Sequence, residues 1–177
     1  MSFNNEKEMA DQFKTFYKNL LRKKNLILLE EYKGLFGRPD FIVLERLENN
    51  IETIIAFELK LKNWQTALKQ AYRYRAFAHM SFVIMDEQNI NSPINQISQF
   101  IKFNIGLGAF NCNNEFKIFY APEVRTPYSL RYVKQINDVL PYNKKYNNFF
   151  LTQSNSTSTS NLINTITSFE ILTPILV

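Results

Sequence analysis

The apolar and polar positions divide the chain into elements before any single residue is weighed. Across residues 6 to 23, Met9, Phe13, Phe16, Tyr17, Leu20 and Leu21 recur at helical spacing, which predicts an amphipathic helix. Acidic residues lead this segment and Arg22, Lys23 and Lys24 close it, the charge order a helix macrodipole favours. The run Leu26-Ile27-Leu28-Leu29 predicts a strand within residues 25 to 32, and Gly34 and Gly37 break the chain after it. Residues 40 to 46 and 51 to 60 read as two more strands around a turn at Glu48-Asn49-Asn50. Asn63 stands where an N-cap belongs, ahead of a helix over residues 64 to 78 with a buried stripe of Trp64, Ala67, Leu68, Ala71, Tyr74 and Ala78. Residues 81 to 85 form a short apolar strand that ends at Asp86.

The order is therefore helix, three strands, helix, strand. Tight turns imply hairpins among the first strands, whereas a helix between the third and fourth implies a parallel crossover. This is an α/β sandwich around a mixed sheet. Further on, residues 92 to 103 predict a short helix behind Pro93, residues 106 to 111 and 115 to 120 a hairpin across Asn113-Asn114, and residues 128 to 140 another helix. Residues 151 to 160 are almost entirely Thr, Ser, Asn and Gln, and residues 162 to 177 turn apolar again. The expected division is a folded unit over 1–150, then a linker and an apolar C-terminal segment over 151–177 that docks back or meets a protein partner.

Composition narrows the function classes. A chain of 177 residues suits one domain. Its single cysteine and single histidine exclude an internal disulfide and a Cys/His metal framework. No apolar run approaches the ~20 residues of a membrane span, and Glu6, Lys7 and Glu8 stand where a signal peptide would be apolar, so a cytoplasmic protein with no membrane partner is expected. The formal charge of +5 is compatible with nucleic acid, because each neutralised phosphate releases counterions.

The chemistry gathers around the turn at residues 48 to 50. Pro39-Asp40 opens one strand; the next runs Ile54-Ile55-Ala56-Phe57 and ends Glu58-Leu59-Lys60. Side chains alternate along a strand, so Glu58 and Lys60 share a face. With Asp40 turned the same way, two carboxylates and an amine converge at one edge of a buried sheet. Phosphodiester hydrolysis needs such a set: carboxylates for a divalent cation, and a cationic group that orients or deprotonates water or stabilises charge on the phosphorane oxygens.

These residues resemble the motif of the PD-(D/E)xK nuclease superfamily, which includes restriction endonucleases, Holliday-junction resolvases and RecB-type nuclease domains. Pro39-Asp40 precedes Glu58-Leu59-Lys60 with 17 residues between them. The resemblance covers roughly residues 6 to 86. It implies a restriction-endonuclease-like α-β-β-β-α-β core and an endonuclease acting on DNA, with Asp40 and Glu58 holding Mg2+ or Mn2+ and Lys60 serving the attacking water. It implies a further glutamate near the metal on the first helix, with Glu8 the first candidate and Glu6 the second. Gln70 and Tyr74 match a QxxxY pattern of RecB-like members and would line the site. Lys62, Lys69, Arg73 and Tyr74 are the candidate nucleic-acid contacts, in a basic surface that also holds Tyr72 and Arg75. Two-strand cleavage needs two centres, which makes a homodimer the working hypothesis.

Plainer readings stand beside these. Glu8 also suits a helix N-terminus for its charge alone, Gln70 also reads as an ordinary polar helix residue, and Tyr74 fits the core stripe. Charges on a helix surface are usually solvated. Glu30 and Glu31 are further acidic candidates and Arg38 a phosphate contact; His79 reads as structural and Cys112 has no assigned role. The rivals to an enzyme are a nuclease-like module that binds nucleic acid without cutting, and a partner-dependent subunit of a defence or repair assembly.

Overall fold

A computed structural model of the chain describes residues 2–21, 26–31, 37–47 and 50–139. Residues 151–177, expected as linker and docking segment, lie outside the described residues. The elements are α1 (Glu6–Leu21), β1 (Leu26–Glu30), β2 (Phe41–Leu47), β3 (Asn50–Lys60), α2 (Trp64–Tyr74), β4 (Met80–Asp86), α3 (Asn91–Ile94), α4 (Ile97–Phe103), β5 (Gly106–Phe110), β6 (Phe116–Tyr120) and α5 (Leu130–Val139). The strands form one six-stranded sheet in sequence order. β1, β2 and β3 pair antiparallel, β3, β4 and β5 parallel, and β5 and β6 antiparallel again. The expected helix–three strands–helix–strand core and mixed sheet are present.

Several boundaries differ from the sequence reading. α2 stops at Tyr74 instead of Ala78, because the chain turns back so that the His79 amide can donate to the Ile54 carbonyl at 2.8 Å. Asn63 precedes α2 but does not cap it with its side chain; its φ of 55° turns the chain out of β3, and its carbonyl accepts from the Thr66 and Ala67 amides. Residues 92 to 103 divide into α3 and α4, which together span a second parallel crossover, from β4 to β5.

Each face of the sheet carries its own apolar layer. On one side Phe41, Val43, Ile55, Phe57, Phe82 and Ile84 pack against Met9, Phe13 and Tyr17 of α1. On the other, Ile42, Leu44, Ile54, Ala56, Val83 and Met85 meet Ala67, Ala71 and Tyr74 of α2. Gly106 lies beside Phe82 in the parallel ladder, where any Cβ would overlap the Phe82 ring. The alternation places Glu58 and Lys60 in step with Ala56 and Ile54, and Asp40 in step with Ile42, so all three belong to the α2 side. None of the described helices is long and apolar enough to cross a membrane.

Phe13 fastens α1 to the sheet. It is fully buried, with its ring centroid 4.6 Å from Tyr17, 5.3 Å from Phe110, 5.6 Å from Phe41 and 5.7 Å from Phe57. Phe13→Ala should therefore lower the unfolding free energy in denaturant by about 3–5 kcal/mol. A loss below about 1 kcal/mol, the scale of an ordinary surface change, would show that this ring does not hold the helix in place.

Candidate functional site

The site is built at the C-terminal end of β3, where a parallel strand beside it also ends. Open α/β sheets bind ligands outside such strand ends. β2 and β3 are paired with Phe41 opposite Phe57, so one further step sets Asp40 opposite Glu58. Asp40 accepts the Leu59 amide through Oδ2 at 2.7 Å, which fixes the carboxylate at the end of the ladder. Glu58 is 2% exposed. Its Oε2 accepts the Tyr74 hydroxyl at 2.6 Å, and its Oε1 lies 3.5 Å from Lys60 Nζ. Lys60 Nζ also donates to Glu6 Oε2 at 3.1 Å. Glu6 is in the first turn of α1, so the pair joins the two helical layers around the end of the strand. A cleft of about 390 Å³ runs from Asp40 between α1 and the β1–β2 edge, with Glu6, Lys14, Glu30 and Glu31 in its walls.

Burial sets the electrostatics. It raises the Glu58 carboxyl to about 7, with the Asp40 charge adding to the rise while the Tyr74 and Lys60 hydrogen bonds oppose it. Asp40 is raised too, by burial first; the Leu59 amide and Lys60 pull it back, and Glu6 and Glu31 push it up. For Lys60 burial alone would favour the neutral amine, but the Glu6 hydrogen bond and the fields of Glu58, Glu6 and Asp40 outweigh it, leaving the ammonium favoured. Tyr74 is raised by burial and by the neighbouring Glu58 charge, so it donates as a neutral phenol.

Asp40, Glu58 and Lys60 are thus brought together. On α1 it is Glu6, not Glu8, that reaches them: Glu8 Oε2 accepts the Asn4 amide at 2.8 Å and its side-chain nitrogen at 2.9 Å, closing the helix start. Glu8 also lines a different hollow, with Gln12 and Cys112. Gln70 stands one turn before Tyr74, half-buried, with a buried Oε1 that has no hydrogen-bond partner. Tyr74 is 1% exposed, which removes it from the surface contacts and makes it the group that holds Glu58. Lys62, Lys69 and Arg73 are exposed. Glu30 pairs with Lys14 at 2.6 Å and Glu31 with Arg38, and both acids line the cleft that holds Asp40. His79 Nδ1 accepts the Ile54 amide at 3.0 Å, a structural role. The sequence reading missed Gly37 as part of the site. Its φ is +124°, and a Cβ there would stand 3.0 Å from Tyr74 Cε1.

No family model and no curated protein matches the chain. Two solved structures are similar to it at low identity. One is a protein of unknown function from Silicibacter pomeroyi, at 15% identity, covering 71% of this chain and 84% of that one with a TM-score of 0.43. The other is SfsA from Pyrococcus furiosus, solved in complex with Ca2+, at 12% identity over 66% of this chain and 65% of that one, with a TM-score of 0.39.

The donor set can be judged against a cation on its own chemistry. Two carboxylates raised by burial, one of them lifted further by its neighbour's charge, form a site whose repulsion a divalent ion would relieve. Gln70 Oε1, one helical turn before Tyr74, is a further hard donor left without a partner. Among the described residues no three His, Cys, Asp or Glu side chains converge as a ligand set, so a hard ion that keeps several waters fits better than one needing an all-protein cage.

The raised Glu58 value has a measurable sign. A group whose folded value lies above its ordinary one contributes stability that is fully present below about 4.5 and is lost as pH rises through about 7. Unfolding free energy from denaturant titrations should fall across that window, and Glu58→Gln should remove the Glu58 share of the slope. An unchanged slope would place the titration elsewhere. Tyr74→Phe deletes a hydrogen bond that favours the ionised carboxylate, so the Glu58 midpoint followed by carboxyl carbon NMR should move upward. A midpoint that stays put or falls would show that the hydroxyl does not hold the charge.

Proposed function

We propose that this chain is a metal-dependent nuclease that hydrolyses phosphodiester bonds in DNA. The observation that carries this reading is the convergence of Asp40, Glu58 and Lys60 at one strand end, with Lys60 Nζ 3.5 Å from Glu58 and the pair enclosed by Tyr74 and Glu6. Asp40 and Glu58 are the residues that would hold Mg2+ or Mn2+. Such an ion, when bound, neutralises phosphate charge and makes a water acidic enough to attack.

The chain's own groups account for the rest. Glu58 must lose its proton before it can act as a ligand, so cation affinity should strengthen as pH passes about 7. Tyr74 holds one Glu58 oxygen and so orients the other. The favoured ammonium form of Lys60 supports donation to the attacking water or to the phosphorane oxygens over abstraction of a proton. Lys62, Lys69 and Arg73 are the candidate backbone contacts, which position a strand without reading its bases. DNA as substrate follows from the resemblance, and a homodimer would supply two centres for two strands. A second reading is a module that binds nucleic acid without cutting it, in which the Lys60 ammonium, held by Glu6 at 3.1 Å and beside Glu58 at 3.5 Å, serves as a structural ion pair.

Incubation with plasmid, single-stranded and branched DNA in magnesium, manganese and EDTA separates the two. Cutting should require the metal, and Lys60→Ala should lose about 10²–10⁴-fold in rate. A folded protein that binds the metal yet cuts none of these forms would favour the binding module.

A further inference from the structure

α2 has a second working face. Tyr72 lies two positions before Tyr74, so helical geometry sends the two rings to opposite sides: Tyr74 is 1% exposed against the sheet, Tyr72 43% exposed on the outside. Tyr72 is held edge-on by Phe103 of α4, with ring centroids 5.5 Å apart. The Arg75 guanidinium lies 5.7 Å from the Tyr72 centroid and 4.7 Å from that of Tyr128, a residue 63% exposed. Arg75 is itself nearly buried, its Nη1 donating to the Phe103 carbonyl at 3.0 Å. The Tyr128 amide in turn donates to the Arg75 carbonyl at 3.1 Å. Two exposed rings are thus fixed around one cation and ordered before any ligand arrives, which lowers the entropy lost on binding.

Charge decides what fits this surface. Residues 61 to 85 include Lys62, Lys69, Arg73 and Arg75 but no Asp or Glu, and α4 adds Lys102, again with no acid. Glu123, in the segment leading to Tyr128, is already paired with Arg125 at 2.8 Å. An apolar protein surface would cover the rings and leave these cations uncompensated. A nucleic-acid strand offers flat rings to stack and phosphates to meet the charges.

We infer that this face binds single-stranded nucleic acid, with bases stacking on Tyr72 and Tyr128 and phosphates meeting Lys69 and Lys102. A duplex keeps its bases stacked on each other, so the face prefers unpaired strands. The inference rests on the reading of the chain as one that handles nucleic acid, and it narrows the substrate to forms with an unpaired segment.

Fluorescence anisotropy in EDTA tests binding apart from cutting, using the full chain with labelled oligothymidine and with a duplex of equal length. The single strand should bind more tightly. Tyr72→Ala and Tyr128→Ala should each weaken it by about 5- to 150-fold, with the salt slope unchanged because no charge is removed. Tyr128→Phe, which keeps the ring, should bind like the parent, and Tyr128→Leu, which keeps only the bulk, should not. Should an alanine variant fail to fold by circular dichroism, the Phe and Leu pair decides the matter. Alanine variants that bind like the parent, or a duplex bound as tightly as the strand, overturn the inference. So does an alanine variant that loses self-association in light scattering while keeping its single-strand affinity, which would give the face to a second copy of the chain. Metal-dependent cutting with no effect of these tyrosines on binding would sink this inference and leave the nuclease. Tyrosine-dependent binding without cutting would do the reverse.

Discussion

An ionised carboxylate taken out of water costs several kcal/mol unless charges and hydrogen bonds offset it, and Glu58 is 2% exposed. Each neighbour at the working end of the sheet bears on that cost. Tyr74 donates to one oxygen at 2.6 Å and the Lys60 ammonium stands 3.5 Å from the other. Asp40 works against both, since its charge raises Glu58 further. The balance leaves Glu58 titrating near neutrality, so the free site is strained by two acids and relieved by a cation or a proton. A structural ion pair would be built with fewer like charges. This frustration is what a bound cation would relieve, and it supports the proposed role of the pair.

Holding Tyr74 in place therefore matters more than its distance from solvent suggests. Gly37, at a φ few side chains adopt, lies so close to the Tyr74 ring that a Cβ would stand 3.0 Å from it. Pro39 is buried, and Asp40 follows with Oδ2 on the Leu59 amide. The approach to β2 is thus laid over α2 at Tyr74, and the same contact that fixes the phenol places Asp40. From the other layer Glu6 reaches Lys60 around the strand end. The aromatic packing of Phe13 in turn fixes where α1 begins. The core and the site share residues, not merely neighbours.

Much of this was legible in the sequence because it depends on periodicity. Alternation in residues 51 to 60 is enough to put Glu58 and Lys60 on one face, and the crossover rule is enough to make β3 and β4 parallel. What escaped depends on where rigid elements sit relative to one another. Glu6 and Glu8 lie two apart near the start of α1, and only the docking angle of that helix decides that Glu6 meets Lys60 while Glu8 caps its own helix through Asn4. Tyr74 belongs to the apolar stripe of α2 by spacing, which says nothing of where its hydroxyl ends. Asn63 has the chemistry of a cap, but the exit from β3 needs a left-handed residue, and that backbone demand governs its conformation. Gly37 had a signal, being a glycine two positions before Pro39, but a turn explains such a glycine as well as a close approach does.

α2 gathers these threads because its two sides answer to different forces. Its inner stripe is apolar and ends in a phenol that serves a buried carboxylate. Its outer side has no acidic residue and carries cations and an exposed ring. A helix selected only to cover a sheet would gain solubility from mixed charges outside and would place no polar terminus against a buried acid. The one-sided charge and the buried phenol both have a use if the helix stands between a strand of nucleic acid and a metal-binding pair. Alternation of the two tyrosines across the helix axis lets one element serve both surfaces, with Tyr74 against Glu58 on the inside and Tyr72 exposed on the outside.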